Sequence, residues 1–349
     1  MTFLIEIVLV VAFLVIVHIA IHRWVSKKPL RSIRDRHVVI TGGSQGIGFW
    51  IAVNCVKLGA HVTIIARSVE KLESALEKIQ LHRVNDKQLI QYRSIDLSKS
   101  YDSVKNALSA LEEDTAPIYM LVNCAGGAIC GRVDEISPDD AVYLMNINYY
   151  SVYYPTRYVL TKFKETGDGI ITITASQASL VGIYGYGPYA AAKFALRGLA
   201  ETIAMEVSNT NISITLALPA DTDTPGFENE NRTKPEETKI ISGGGGLAKS
   251  ENMAHKILTD SLSGHFISIS GFKSWMLTII CSGMMKVALI WPNSFLRRDE
   301  SKVEVDSVRK PSIGVEKSDQ KEETKTSISS TSANRSTITS VTFSTATTT

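Results

Sequence analysis

From about residue 35 to residue 265, short and continuously apolar runs alternate with helix-length amphipathic stretches, and nothing else in the chain constrains the fold so strongly. Residues 37–41, 61–66, 89–95, 120–122, 169–174 and 212–218 each read as a short strand. Helical patterns fall between them at 47–58 (closed by Gly59), 69–82, 101–113, 139–164 and 189–208. A sheet wetted on one side would alternate apolar with polar residues. Strands that are apolar throughout need cover on both faces, and parallel neighbours need a crossover helix. The expectation is an α/β fold, a doubly wound parallel sheet with ligands at the carboxyl ends of its strands.

The first strand-to-helix turn reads Thr41-Gly-Gly-Ser-Gln-Gly-Ile-Gly48. Gly42, Gly46 and Gly48 permit a tight turn that brings the backbone, with Ser44 and Gln45, against a pyrophosphate on the helix N-terminus. Unpaired N–H groups and the helix dipole favour an anion there. Such a turn alone is weak evidence; a strand before it and a helix after it strengthen it. At the end of the second strand, where NAD-binding chains place a carboxylate on the ribose hydroxyls, this chain has Ala66-Arg67. Arg67 can pair a 2′-phosphate, and Lys71 adds a second positive charge one helical turn on. The pattern therefore favours NADPH; a solvated surface arginine is the alternative reading.

A second constellation is Ser176, Tyr189 and Lys193. Tyr189 and Lys193, spaced i, i+4, share one helix face. A lysine ammonium beside a phenol is expected to lower its pKa from about 10 toward the working range. The tyrosine then becomes a competent proton donor to a carbonyl being reduced. Ser176, at the end of the 169–174 strand, is placed to hydrogen-bond the same oxygen. A Tyr-x-x-x-Lys pair by itself is common on surfaces; joined to the Gly-rich turn it points to carbonyl reduction.

These residues resemble the short-chain dehydrogenase/reductase family, of Rossmann-type fold, over about 230 residues: TGGSQGIG at 41–48, Asp96-Leu97, Asn123-Cys-Ala-Gly126, Asn148, Ser176 and Tyr189-x-x-x-Lys193. The resemblance implies that Tyr189 donates the proton, Lys193 holds the nicotinamide ribose and tunes Tyr189, Ser176 polarises the carbonyl, and Asn148 anchors a water in the proton relay. It also implies that Asp96 and Leu97 border the adenine, that Asn123, Ala125 and Gly126 line the cofactor, and that Pro219 and Thr224 contact the carboxamide. Ala220 stands where the family often has Gly. A narrower resemblance rests on HRVNDKQ at 82–88, Lys28-Pro-Leu after an apolar run, and above all residues 221–238. It is to NADPH-dependent reductases of long-chain keto-amine lipids in the endoplasmic-reticulum membrane, with the catalytic domain facing the cytosol. It implies that 221–238 is a substrate-covering loop, and it admits a homo-oligomer. A reductase of another lipid, steroid or retinoid ketone would keep these residues and differ mainly in that loop. A non-catalytic dinucleotide-binding scaffold would be expected to lose Tyr189, Lys193 or Ser176, and none is lost.

The flanks have different chemistry. Residues 3–21 form a nineteen-residue apolar run interrupted by Glu6 and His18, long enough as a helix to reach about 28 Å, close to a bilayer's hydrocarbon core. The basic residues follow it (Arg23, Lys27, Lys28, Arg31, Arg34, Arg36) and no cleavage pattern is present, so 1–24 is expected to be a transmembrane anchor rather than a cleaved signal. A second apolar segment, 272–292, is broken by Ser282-Gly283 and Lys286; it fits a re-entrant or interfacial segment or a second span. Residues 301–349 hold 21 Ser or Thr, and a tail over 299–349 is expected to be disordered. The formal charge of +2, with no basic block interleaved with aromatics, argues against a nucleic-acid partner. Four cysteines without CxxC spacing argue against a zinc site or a disulfide framework and suit reduced thiols in the cytosol.

Overall fold

A computed structural model describes Glu6, residues 30–243 and residues 246–282. The anchor expected over 1–24, the part of the 272–292 segment beyond residue 282 and the tail expected over 299–349 lie outside the described residues. The chain divides into two compact units, Met1–Pro292 and Asn293–Thr349, and everything described belongs to the first. Among the described residues, no helix is long and apolar enough to cross a membrane.

Strands β1 (His37–Thr41), β2 (His61–Ala66), β3 (Ile90–Ser94), β4 (Ile118–Asn123), β5 (Asp168–Thr174) and β6 (Asn211–Ala217) fall within one or two residues of their expected positions. Two short strands, β7 (Thr222–Asp223) and β8 (Ala248–Lys249), pair with each other apart from the main sheet. The sheet is closed by β9 (Ile267–Ser268), giving the order β3-β2-β1-β4-β5-β6-β9, parallel throughout. The order reverses between β1 and β4, which opens a crevice above their carboxyl ends. Thr41 is level with Ile65 of β2 and Asn123 of β4, so the loops that follow these strands gather at one rim.

Both faces are buried, as the apolar strands require. Val39, Leu121, Ile171, Ile173 and Leu216 point into a cluster with α3 (Tyr101–Asp114), α5 (Ser151–Thr166) and α6 (Gly187–Glu206). Val38, Ile40, Ile64, Met120 and Val122 point the other way, against α1 (Gly46–Lys57), α2 (Val69–Gln80) and α9 (Ser250–Leu262). Each such side chain contributes roughly 1.5–3 kcal/mol when fully buried. Serines start several helices: Ser68 accepts from the Lys71 amide at 3.3 Å, and Ser100 accepts from that of Ser103 at 3.2 Å.

Two expectations need correction. The stretch read as one helix over 139–164 is three pieces: α4 (Pro138–Met145), a π turn at Asn146–Tyr150, and α5. Asn148 Nδ2 donates to the Leu144 carbonyl at 3.0 Å. In a regular helix that acceptor would take the backbone N–H of Asn148. The 221–238 stretch, read as a loop, is largely helical: α7 (Pro225–Thr233) and α8 (Glu236–Gly243). Thr224 caps α7 by accepting from the Phe227 amide at 3.1 Å, Pro225 presets its first turn, and Pro235 separates it from α8.

Candidate active site

Most of the expected site residues come from the carboxyl ends of the strands, with Asn148 in the π turn and Tyr189 and Lys193 on α6. The Gly-rich turn after β1, the ends of β2 and β3, the loop after β4 and Thr224 enclose a cavity of about 350 Å³. Gly42, Ser44, Gln45, Gly46 and Gly48 form its floor at the start of α1. Gly46 has φ +59°, and a Cβ there would lie 2.9 Å from Thr224 Cγ2, so both conformation and space demand glycine. Arg67 and Lys71 stand on its β2 side, Asp96 and Leu97 beside them, and Ala125 and Gly126 at the end of β4. Asp96 is lowered from the ordinary carboxyl pKa. Burial works against this, but hydrogen bonds from the Ser98 hydroxyl (2.6 Å) and amide (3.1 Å) and the nearby Arg67 charge outweigh it. Pro219, Tyr189 and Lys193, expected to contact the cofactor, do not line this cavity, and neither does Asn123. Its side chain is fully buried and donates to Thr156 Oγ1 at 3.0 Å, away from the cavity. Ser68, Ser98, Ile147, Ser151 and Gly226 line the cavity without having been singled out by any motif.

The second constellation adjoins this cavity. Ser176 follows β5, while Tyr189 and Lys193 project from the first turns of α6. Lys193 is buried, and its ammonium donates to the carbonyl of Thr174, a cavity residue, at 3.3 Å. Its Nζ lies 5.6 Å from the Tyr189 ring centroid. A Cβ on Gly126 would fall 2.7 Å from Asn148 Oδ1 and 3.5 Å from Lys193 Nζ, so the missing side chain there is what lets the loop pass both groups. Asn148 Oδ1 accepts from the Gly127 amide at 3.2 Å, and its Nδ2 donates to the Gly127 carbonyl at 2.8 Å. The π turn is thereby tied to the loop after β4.

Burial brings the Lys193 pKa down to about 8, against the opposing pull of Cys124 and Glu230. The expected lowering of Tyr189 by Lys193 is not what the surroundings produce. Burial, then the carboxylate of Glu230, push the phenol well above its ordinary value, and a hydrogen bond with Ser176 only partly offsets them. The phenol is therefore protonated at neutral pH, the form a proton donor needs. Cys124 lies between these groups, with Sγ 3.1 Å from Thr174 Oγ1, and burial pushes its thiol up to about 11. At neutral pH it is therefore a protonated thiol at the cavity wall.

A crevice at the strand-order reversal, a helix N-terminus offered to a pyrophosphate, and a Ser, Tyr and Lys beside it define a dinucleotide-dependent oxidoreductase of Rossmann type. The short chain dehydrogenase family profile matches residues 36–235, and the chain belongs to that family. The chain is 42% identical over 281 residues to a 3-dehydrosphinganine reductase of Danio rerio, covering 80% of this chain and 84% of that one. It is 42% identical to a 3-ketodihydrosphingosine reductase of Bos taurus with the same coverage, and 33% identical to a 3-dehydrosphinganine reductase of Arabidopsis thaliana over 76% of this chain and 81% of that one. Among solved structures, levodione reductase superposes with a TM-score of 0.62 at 25% identity, over 70% of this chain and 99% of that one. An alcohol dehydrogenase from Thermococcus sibiricus, complexed with 5-hydroxy-NADP, superposes with a TM-score of 0.54 at 26% identity, over 64% of this chain and 88% of that one.

Proposed function

We propose that this protein reduces 3-ketodihydrosphingosine to dihydrosphingosine with NADPH, a step of sphingolipid synthesis. The observation that carries the chemistry is the Ser176, Tyr189 and Lys193 cluster at the edge of a cavity whose far side holds Arg67 in place of an acidic residue. The names of the relatives, at 42% identity over most of the chain, support the substrate. The cavity suits the cofactor: Gly42, Gly46, Gly48, Arg67, Lys71, Asp96 and Leu97 all line it, and the glycine floor would admit a pyrophosphate, Arg67 and Lys71 would pair its 2′-phosphate, and Asp96 and Leu97 would flank the adenine. NADPH supplies the hydride. Tyr189 gives its proton to the carbonyl oxygen, and Ser176 donates a hydrogen bond to that oxygen as negative charge develops on it. Lys193 would hold the nicotinamide ribose of a bound cofactor, Ala125 and Gly126 would line its nicotinamide end, and Thr224 would meet the carboxamide. Asn148 keeps the π turn open beside Gly126 and Lys193, and the relay that returns a proton to Tyr189 runs past it.

The substrate's length places the enzyme at a bilayer, because each buried methylene favours the membrane by about 0.8 kcal/mol. Residues 1–24 anchor the chain in the endoplasmic-reticulum membrane, and the basic residues after them keep the catalytic domain in the cytosol. Membranes containing the full-length protein, incubated with NADPH and a panel of lipid, steroid and retinoid ketones, test this reading. It expects 3-ketodihydrosphingosine to be turned over in preference to the rest. Preference for another ketone would transfer the assignment to it, and no NADPH oxidation with any ketone would leave a dinucleotide-binding scaffold.

A further inference from the structure

Behind Tyr189 lies a buried charged cluster to which the steps above give no part. Lys234, its side chain 1% exposed, sits 2.8 Å from Glu230 Oε1 and 3.8 Å from Asp221 Oδ2. Its ammonium also lies 4.5 Å from the centroid of the Phe227 ring and 5.7 Å from that of Tyr186. Glu230 accepts a short hydrogen bond from the Tyr186 hydroxyl, and the Tyr186 ring packs against Tyr189 with centroids 5.4 Å apart at 44°. A continuous set of contacts thus runs from Lys234 through Glu230 and Tyr186 to the phenol beside Ser176.

The cluster is the inner attachment of α7, since no residue of that helix is itself buried and it has no apolar stripe to hold it against the site. A buried lysine needs a close carboxylate, and Glu230 provides it from one turn earlier. Two carboxylates, Glu230 and Asp221, face the one ammonium of Lys234. We propose that Glu230, held by Lys234, is a positioning residue for Tyr189, acting on it through the ring of Tyr186 and through its own charge. The proposal rests on Tyr189 being the proton donor, and it assigns inward duties to residues of 221–238 whose charges would otherwise be read as facing the substrate.

The charged and titratable groups around Tyr189 come from several elements. They are Tyr186 and Lys193 on its own helix, Cys130 in the loop after β4, Asp221 after β6, and Glu230 and Lys234 on and after α7. After burial, Glu230 weighs most on the phenol, ahead of Cys130 and Asp221, and it raises the pKa. A donor works while protonated, and Lys193, brought down to about 8, loses its proton before Tyr189 as pH rises; Glu230 holds up the pKa of both groups, so the alkaline limb of reduction reports the pair. Removing the Glu230 charge moves that limb to lower pH, and removing its counter-ion moves it to higher pH.

The test is the pH dependence of kcat for full-length protein carrying Glu230→Gln or Lys234→Met, recorded with saturating NADPH and any ketone the wild type reduces. Glu230→Gln keeps an acceptor for Tyr186 and removes only the charge; its alkaline limb is expected about one pH unit below that of the wild type. Lys234→Met is expected to shift the limb upward, with Lys234→Arg restoring the wild-type profile. Either variant suffices if the other does not fold. A uniform fall in kcat with an unmoved limb, or shifts of the same sign in both variants, would overturn the proposal by reducing the cluster to scaffolding. Because any reducible ketone serves, rejection of 3-ketodihydrosphingosine as substrate would leave this test intact.

Discussion

At the carboxyl ends of the strands the sheet carries groups whose charge states are disturbed, while at the amino ends it carries a guanidinium held on every side. Lys193 is buried against a carbonyl with its pKa brought down to about 8, and Tyr189 is pushed above its ordinary value. At the opposite end Arg31 donates to the carbonyls of Gly169 (3.0 Å) and Asn211 (3.1 Å), to Ser213 Oγ (3.1 Å) and to Tyr119 OH (2.7 Å). It also makes a short ion pair with Asp168. One guanidinium therefore ties together the beginnings of β4, β5 and β6. The contrast teaches that the groups proposed for chemistry sit at the carboxyl ends of the strands, while the guanidinium clamp that joins them sits at the amino ends.

The two ends also differ in the segments that lead away from them. The chain enters the domain at the clamped end, where the Arg31 amide donates to the Leu262 carbonyl at 2.9 Å. The helix α10 (Phe272–Ser282) instead touches the catalytic end, where Gln177, next to Ser176, donates to Ser274 Oγ at 2.6 Å. Its Phe272 and Met276 are exposed while Leu277 and Cys281 pack on the core.

Substitutions at the two ends should separate activity from stability. The largest effect is expected from Tyr189→Phe, which keeps the ring and removes the proton: kcat should fall by about 10²- to 10⁴-fold while NADPH affinity and the melting temperature change little. Steady-state kinetics beside a thermal melt check this, and more than a tenth of wild-type kcat would contradict it. Arg31→Ala should do the reverse, lowering stability by roughly 2 kcal/mol, discounted for the partial exposure of Asp168, with kcat per folded molecule unchanged. Urea unfolding measures it. Replacing Ala66-Arg67 with Asp-Ser should reduce the preference for NADPH over NADH by at least about tenfold, the worth of one charge-assisted phosphate contact. Equal use of both cofactors by the wild type would refute that role for Arg67.

The smallest effect concerns His37, at the amino end of β1, whose ring nitrogens lie 2.8 Å from the Ala116 carbonyl and 2.9 Å from Thr63 Oγ1. Burial lowers its pKa from the ordinary 6.5. The unfolded chain then binds the proton first, so stability should be present above pH 6.5 and decline as pH falls below it. His37→Gln should flatten that slope in unfolding experiments and leave the pH profile of kcat unmoved.

Much of this was legible in the sequence because sheet and motifs are local. Covering both faces makes β1, β2, β4, β5 and β6 largely apolar runs, while the edge strand β3 carries Gln91, Arg93 and Ser94; the turn at 41–48 and the Tyr189/Lys193 spacing are short-range patterns. What escaped depends on contacts distant in sequence. A two-residue strand such as β9 has no periodicity, and α7 has no buried face to announce it. The π turn arises because Asn148 binds Gly127, and the direction of the Tyr189 shift is set by burial and by Glu230. The i, i+4 spacing of Glu230 and Lys234 was visible, but not that Tyr186 would meet it. HRVNDKQ carried resemblance without a role; in the fold, Gln88 Nε2 donates to the carbonyls of Val56 and Ala60, both at 2.9 Å, and closes the end of α1.

On the proposed function, the catalytic end transfers hydride from NADPH to the keto carbon of a long-chain keto-amine. The most direct measurement supplies NADPH deuterated at both C4 positions of the nicotinamide, together with 3-ketodihydrosphingosine, and locates the label in the product by mass spectrometry. The account predicts dihydrosphingosine carrying one deuterium on the new carbinol carbon for each NADPH consumed. Unlabelled product, or NADPH oxidised with no dihydrosphingosine formed, would contradict it.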